Sequence, residues 1–137
     1  MNQSAFIQIR HRLGKTQAEL AKLLGVSVKA IQSFEQGWRN VPCHIERQML
    51  LLLALKHEAW DESEPCWKRT NCSTHLREAC MAWEVQAGYM CWFVNGTVCR
   101  GVVHDTWEEK MEVCKGCEVF QSVVSADDLY PPGGEAA

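Results

Sequence analysis

The chain has 137 residues, 47% of them hydrophobic and 23% charged, the composition of an ordinary folded protein and not of a disordered, collagen-like or membrane-embedded one. Its net charge of −3 conceals a division: residues 1–57 carry four Lys and four Arg against Glu19, Glu35 and Glu46, a balance of +5, which leaves residues 58–137 at −8. Cysteine divides the same way, with Cys43 alone in the first part and Cys66, Cys72, Cys80, Cys91, Cys99, Cys114 and Cys117 in the second, so two modules with different partners are expected.

Met1-Asn2-Gln3-Ser4 lacks the basic region and cleavage site of a secretory signal. The longest apolar run, Met49 to Leu55, is far short of the roughly 20 residues that cross a bilayer. A cytoplasmic protein with no membrane partner is expected, in which clustered cysteines serve as metal ligands, redox sensors or buried small hydrophobes rather than as a disulfide framework.

Phe6, Ile9 and Leu13 recur at helical spacing and predict a first helix from about Gln3 to Leu13, ended by Gly14. Thr16 offers a cap, and Glu19 three residues on completes a capping box. Leu20, Leu23 and Leu24 then form one face of a second helix that Gly25 stops. Ser27 caps a third, in which Ile31 and Phe34 face inward until Gly37. After Pro42 a fourth helix holds Ile45, Met49, Leu52, Leu53 and Leu55. The two short helices separated by Gly25-Val26-Ser27 have helix-turn-helix spacing. Ala21 is small enough for them to approach, Gly25 suits a positive φ in the turn, and Ile31 fills the gap.

The stretch Ile9-Arg10, Thr16-Gln17-Ala18-Glu19-Leu20-Ala21, Gly25-Val26-Ser27, Ile31, Phe34-Glu35-Gln36-Gly37 and Pro42 resembles the phage-repressor (Cro/cI, or XRE) family over about residues 6–57. The resemblance implies that the third helix enters the major groove of double-stranded DNA with Val28, Lys29, Gln32 and Ser33 toward base edges. It implies that Gln17, Arg39 and Asn40 hold phosphates, and that Arg10 and Glu35 form a structural ion pair. Lys29 suits guanine O6 and N7, Gln32 suits adenine N6 and N7, and Val28 suits a thymine methyl. Trp38 stands in a loop that is usually polar or basic, and packing on the fourth helix is favoured over stacking on a sugar. The net +5 supplies sequence-independent attraction to phosphate.

The fourth helix reads as apolar on all sides from Met49 to Leu55, more than one small core needs. Its excess is expected in the core, against the acidic module or in a two-fold interface, so a homodimer through helix 45–55 or through the C-terminal domain is one expectation.

Residues 58–65 read as a charged, proline-ended linker. Beyond it, Met90 to Val94 and Thr97 to Val103 flank Asn95-Gly96, a signal for a type I′ hairpin. A two-residue turn there sets Cys99 opposite Trp92 and Cys91 opposite Arg100. Cys91 and Cys99 should then point to opposite faces and not share one ion. Cys114-Lys115-Gly116-Cys117 is the best single metal signal, because a CxxC turn with glycine lets two thiolates converge. Zinc or an iron–sulfur cluster would suit the thiolate count, with all seven cysteines from Cys66 to Cys117 as candidate ligands and His75 or His104 able to complete a mixed site.

Cys66-Trp67, Asn71-Cys72, Cys80, Cys91-Trp92, Gly96-Thr97, Cys99, Lys110, Cys114 and Cys117-Glu118-Val119-Phe120 resemble a bacterial cysteine-rich family marked by two Cys-Trp pairs, the two-CW domain. The resemblance implies a cysteine-dependent fold, often attached to signalling modules, with no established activity. An enzyme is not expected, since no base is positioned for a nucleophilic thiol and no thioredoxin-like unit surrounds Cys114.

The sequence thus predicts an α+β chain. An all-α helix-turn-helix domain spans 1–57, a linker 58–65, a small cysteine-rich domain with a β-hairpin 66–124, and a disordered tail 125–137. The function expected is a sequence-specific DNA-binding transcriptional regulator with a metal-binding or redox-responsive module. The alternative is a metal-stabilised protein-interaction adaptor whose helix-turn-helix does not bind DNA.

Overall fold

The computed structural model describes residues 1–57, 65–99, 101–104 and 106–124; the expected linker, apart from Pro65, and the expected tail lie outside them. The fold is mostly helical with one two-stranded antiparallel hairpin. Two compact units divide the described residues, the first built on residues 1–57 and the second on residues 65–123.

In the first unit α1 (Gln3–Leu13) is opened by the Asn2 side chain, which accepts from the Ala5 amide, and is closed by Gly14 in the left-handed region. The capping box at the start of α2 (Gln17–Leu24) is complete: the Glu19 amide donates to Thr16 Oγ1 and the Thr16 amide donates to Glu19 Oε1, each at 3.1 Å. Ser27 caps α3 (Val28–Glu35) through the Ala30 amide. After Pro42, α4 (Cys43–His57) runs fifteen residues.

Phe6 and Ile9 of α1, Leu20, Ala21 and Leu24 of α2, Ile31 and Phe34 of α3, and Ile45, Met49 and Leu53 of α4 are buried. Phe6 meets Phe34 edge-on at 5.6 Å, a favoured aromatic geometry. Leu23 is 49% exposed. It was expected beside Leu20 and Leu24, but Ala21 completes that stripe and leaves Leu23 off it on a helix of 3.6 residues per turn. The same geometry sorts α4. Ile45, Met49 and Leu53 form one row flanked by buried Leu50 and Ala54, whereas Leu51 and Leu52 are half-buried and Leu55 is 48% exposed.

The second unit is a succession of short elements: α5 (Cys66–Arg69), α6 (Thr74–Glu78), α7 (Met81–Glu84), a 3₁₀ turn at Cys91–Phe93, strands β1 (Thr97–Cys99) and β2 (Val102–His104), α8 (Trp107–Cys114) and α9 (Glu118–Val123). Trp92 is fully buried and packs edge-on against Phe120 at 5.5 Å, while Trp67 and Trp83 meet edge-on at 4.8 Å. Gly88 sits where any side chain would collide with Pro65 and Trp67, which brings its carbonyl within 2.7 Å of the Cys66 amide.

The hairpin turns five residues later than the sequence predicts. Thr97 faces His104, Val98 faces Val103 and Cys99 faces Val102, so the turn contains Gly101 at φ +81° and not Asn95-Gly96. A type I′ turn needs positive φ at both central residues, and Asn95 does not have it. Residues 91–93 coil into the 3₁₀ turn instead of a strand, and Gly96 donates to the His104 carbonyl at 3.1 Å. The pairing of Cys99 with Trp92 and of Cys91 with Arg100 is therefore wrong, and the inference that Cys91 and Cys99 must face apart falls with it.

The Thr16 cap yields a test. Hydrogen bonds from Thr16 hold the Glu19 carboxyl below its usual 4.5. A carboxyl depressed in the fold contributes stability that is full above the unfolded value and is lost as pH falls through the folded one. Thr16→Ala is expected to cost about 1 kcal/mol in denaturant unfolding at neutral pH, and the NMR titration midpoint of Glu19 should rise only part of the way to 4.5, because the backbone amide at position 16, the larger cause of the shift, is retained.

Candidate nucleic-acid interface and cysteine-lined cavity

The candidate face begins with a buried anchor. Glu35, the last residue of α3, accepts from Arg10 Nε, more weakly from Arg10 Nη2 at 3.4 Å, and from Gln17 Nε2 at 2.5 Å. Arg10 also donates to the Lys15 carbonyl at 3.1 Å, and Gln3 donates to the Glu35 carbonyl. Both partners of the ion pair are largely shielded, with side chains 14% and 9% exposed, so the interaction is screened far less than a surface pair. Gln17, read from the resemblance as a phosphate contact, has its amide engaged by Glu35 rather than turned free.

With its end anchored, α3 presents its other side to solvent. Lys29, Gln32, Ser33 and Arg39 line one concave surface of about 410 Å³ together with Trp38 and Gln36. Val28 and Asn40 are exposed but do not line it. Gly37 at φ +76° turns the chain back so that the amides of Trp38 and Arg39 both donate to the Ser33 carbonyl, at 3.0 and 3.3 Å. The Arg39 guanidinium lies 5.4 Å over the Phe34 ring, within cation–π range. Trp38 is 78% exposed and does not pack on the fourth helix as expected. The local signal was Gly37, whose left-handed conformation returns the following two residues to α3.

In the second unit, all seven cysteines from Cys66 to Cys117 line a single cavity of about 50 Å³. All eight cysteines of the chain stand as thiols. Cys66 and Cys91 open short helical turns, Cys80 directly precedes α7, Cys99 ends β1, Cys114 ends α8 and Cys117 directly precedes α9. Placing cysteines at element ends turns a chain of short pieces into one ring of sulfur. Cys91 and Cys99, expected on opposite faces, both belong to it.

The sulfurs differ electrostatically. Cys91 donates to Cys66, a bond that holds the Cys66 thiol below its ordinary value and, with burial, drives the Cys91 thiol upward. Burial pushes the Cys114 thiol up to about 12, against the pull of Lys110. Buried Cys80 accepts from the Val98 amide at 3.3 Å. Among the described residues, no three Cys, His, Asp or Glu side chains converge closely enough to hold one metal ion. Exposed His75 stands outside the lining, whereas His104 is in it and its buried Nε2 has no hydrogen-bond partner among the described residues.

Lys110 was not read as a cavity residue. It is 2% exposed, lines the cavity, and donates to Thr97 Oγ1 at 2.6 Å. A signal was present: Trp107, Lys110, Met111 and Cys114 recur at the spacing of one helical stripe, and the first three are buried.

Residues 7–42 match the family model described as helix-turn-helix, which places that motif on α1 to α3 and the loop after them. Neither the curated proteins nor the solved structures contain a match to the chain. No described helix is long and apolar enough to cross a membrane.

The anchor and the face should separate in mutagenesis. Glu35→Ala leaves a shielded Arg10 without its carboxylate and is expected to cost the first unit about 2–4 kcal/mol, whereas Lys29→Ala, on the exposed face, should stay within about 0.5 kcal/mol. Urea unfolding followed by far-ultraviolet circular dichroism measures both.

Proposed function

We propose that this chain is a cytoplasmic, sequence-specific DNA-binding transcriptional regulator whose second unit is a metal-binding or redox-responsive module. The observation that carries the first part is the exposed surface at α3, where Lys29, Gln32, Ser33 and Arg39 come together on a helix-turn-helix with eight basic residues against three acidic ones. Lys29 and Gln32 read base edges in the major groove, Arg39 and Asn40 hold phosphate, and the exposed ring of Trp38 lies against the sugar edge. Gln17 reaches phosphate through its backbone amide at the start of α2, where helix N–H groups have no intrahelical partner. The half-exposed Leu51, Leu52 and Leu55 support pairing of two copies through α4, which would present two α3 helices to successive half-sites.

The ring of thiols around one cavity supports the second part. The bond to Cys66 and burial raise the Cys91 thiol, and burial raises that of Cys114, so a metal would displace their protons and its binding would add to the stability of the unit.

Binding to selected duplex DNA, measured by fluorescence anisotropy across a salt series, tests the regulator reading. Lys29→Ala with Gln32→Ala is expected to weaken the preferred sequence by about 10- to 100-fold and to leave non-specific binding nearly unchanged. Arg39→Ala should weaken all sequences alike and lower the salt slope by about 1. Failure to bind duplex DNA at low salt would instead leave the interaction-adaptor reading.

Metal analysis of anaerobically purified full chain tests the second part. The expected result is retained metal and a chelator-sensitive thermal transition. Equal DNA affinity in oxidised, reduced and metal-depleted protein would retire any sensing role.

A further inference from the structure

The cavity of the second unit has a charge pattern at odds with the sequence around it. Residues 58–137 carry a balance of −8, yet no described carboxylate lines the cavity, while two cations, Lys110 and Arg77, do. Arg77 is half-buried, with its guanidinium 5.3 Å over the Trp83 ring and its Nε donating to the Cys72 carbonyl. Lys110 is almost wholly enclosed, and among the described residues its ammonium bonds only to Thr97 Oγ1. Lysine is almost never fully buried without a compensating charge. A cavity that gathers cations, excludes carboxylates and is ringed by thiols suits an anionic guest carried on thiolates.

Size selects among such guests. A single zinc ion draws four sulfurs to about 2.3 Å from one point, a closed site with no room left between ligand and metal. Here the seven sulfurs stand round a space of about 50 Å³ rather than on one point, several times the roughly 10–15 Å³ that admits one water. The walls include Trp67, Trp83 and Val98, poor partners for water. A polynuclear guest, in which sulfide bridges several metal atoms and each metal reaches outward to a different cysteine, fits sulfurs arranged in that way.

We propose that the cavity houses an iron–sulfur cluster ligated by cysteines of the Cys66–Cys117 ring, with the buried Lys110 ammonium as its counter-cation and His104 at its edge. This rests on the metal-binding half of the function proposed above. Each ligating thiol gives its proton to solvent as the iron–sulfur bond forms. A cluster of four iron and four sulfide ions with a core charge of 2+ on four thiolates carries 2−, and Lys110 offsets one of those charges. Removing a positive charge beside a cluster lowers its reduction potential, because the more negative reduced state loses more stabilisation.

The test reconstitutes the full, reduced, metal-free chain anaerobically in two arms, one with zinc alone and one with ferric iron, sulfide and a small dithiol, whose oxidation to its disulfide supplies the two electrons that take four ferric ions and four sulfides to the 2+ core. The expected result is a brown protein with broad visible absorption and near-equal iron and acid-labile sulfide, which added zinc does not displace. Zinc bound tightly with no sulfide retained would overturn the cluster and leave the metal-binding reading standing. Retention of neither would overturn both. Lys110→Met should still assemble the cluster but with a lower potential in redox titration, while Lys110→Arg should keep the potential near that of the parent. If Lys110→Met fails to assemble and Lys110→Arg succeeds, the positive charge is what the site requires. An unchanged potential in Lys110→Met, or loss of the cluster in both variants, would overturn the counter-cation assignment.

Discussion

The first unit depends on one carboxylate. Glu35 ends α3 and gathers Arg10 from α1 and Gln17 from α2, so three helices meet at a charge that solvent barely reaches. A pair so enclosed is costly to desolvate and contributes chiefly when every remaining lone pair and proton finds a partner. Here the second oxygen takes Gln17, and the guanidinium also reaches the Lys15 carbonyl. Apolar packing of Phe6, Ile31 and Phe34 is non-directional and would tolerate small rotations of α3. The bonds to Glu35 are directional, and they fix which side of α3 faces out. The exposure of Lys29 and Gln32 therefore follows from a contact at the opposite end of the helix.

The second unit solves a different problem. Its helices have four to eight residues, too short to be stable alone, and its two strands pair over three residues. Aromatic anchors supply part of what holds them, with Trp92 against Phe120 on one side and Trp67 against Trp83 on the other. The centre, where a larger protein would place aliphatic side chains, is instead lined by seven thiols and crossed by a lysine. Small units of this kind commonly rely on a metal or covalent staple because their apolar burial alone is marginal.

Local signals made the first unit legible. Asn2, Thr16 and Ser27 cap helices through bonds spanning three residues, and Gly14 and Gly25 close them with left-handed backbone, all of it visible as residue type at fixed offset. What escaped was decided by competition over longer range. Asn95-Gly96 carries a strong hairpin signal, but Gly96 is held between the Met81 amide and the His104 carbonyl, and residues 91–93 coil so that Cys91 reaches the cavity. Periodicity named Leu23 and Leu55 as core because both are leucine, and the helix turned them outward. The candidate ligands were legible as a set, since cysteine is conspicuous. Their common cavity was not, because it is assembled from the ends of separate elements. Lys110 shared a stripe with Trp107, Met111 and Cys114 and was passed over because lysine on a short helix is ordinarily solvated.

That lysine links the chemistry of the cavity to the stability of the unit. With every surrounding thiol protonated, the Lys110 ammonium is enclosed beside neutral sulfur and, among the described residues, its desolvation is offset by a hydrogen bond to Thr97 alone. With thiolates bound to metal, the same ammonium faces negative charge in a medium where attraction is poorly screened. If the cavity takes the guest proposed above, binding would stabilise the unit twice, through the bonds to sulfur and by compensating a cation that the metal-free fold must bury at a loss. By linkage, a guest that binds only the folded unit shifts its folding equilibrium by as much as its concentration exceeds its dissociation constant. The first unit has its own caps, core and buried ion pair and holds no such debt. Metal supply would thus act on the second unit's fold, on which the caps and core of the first unit do not draw.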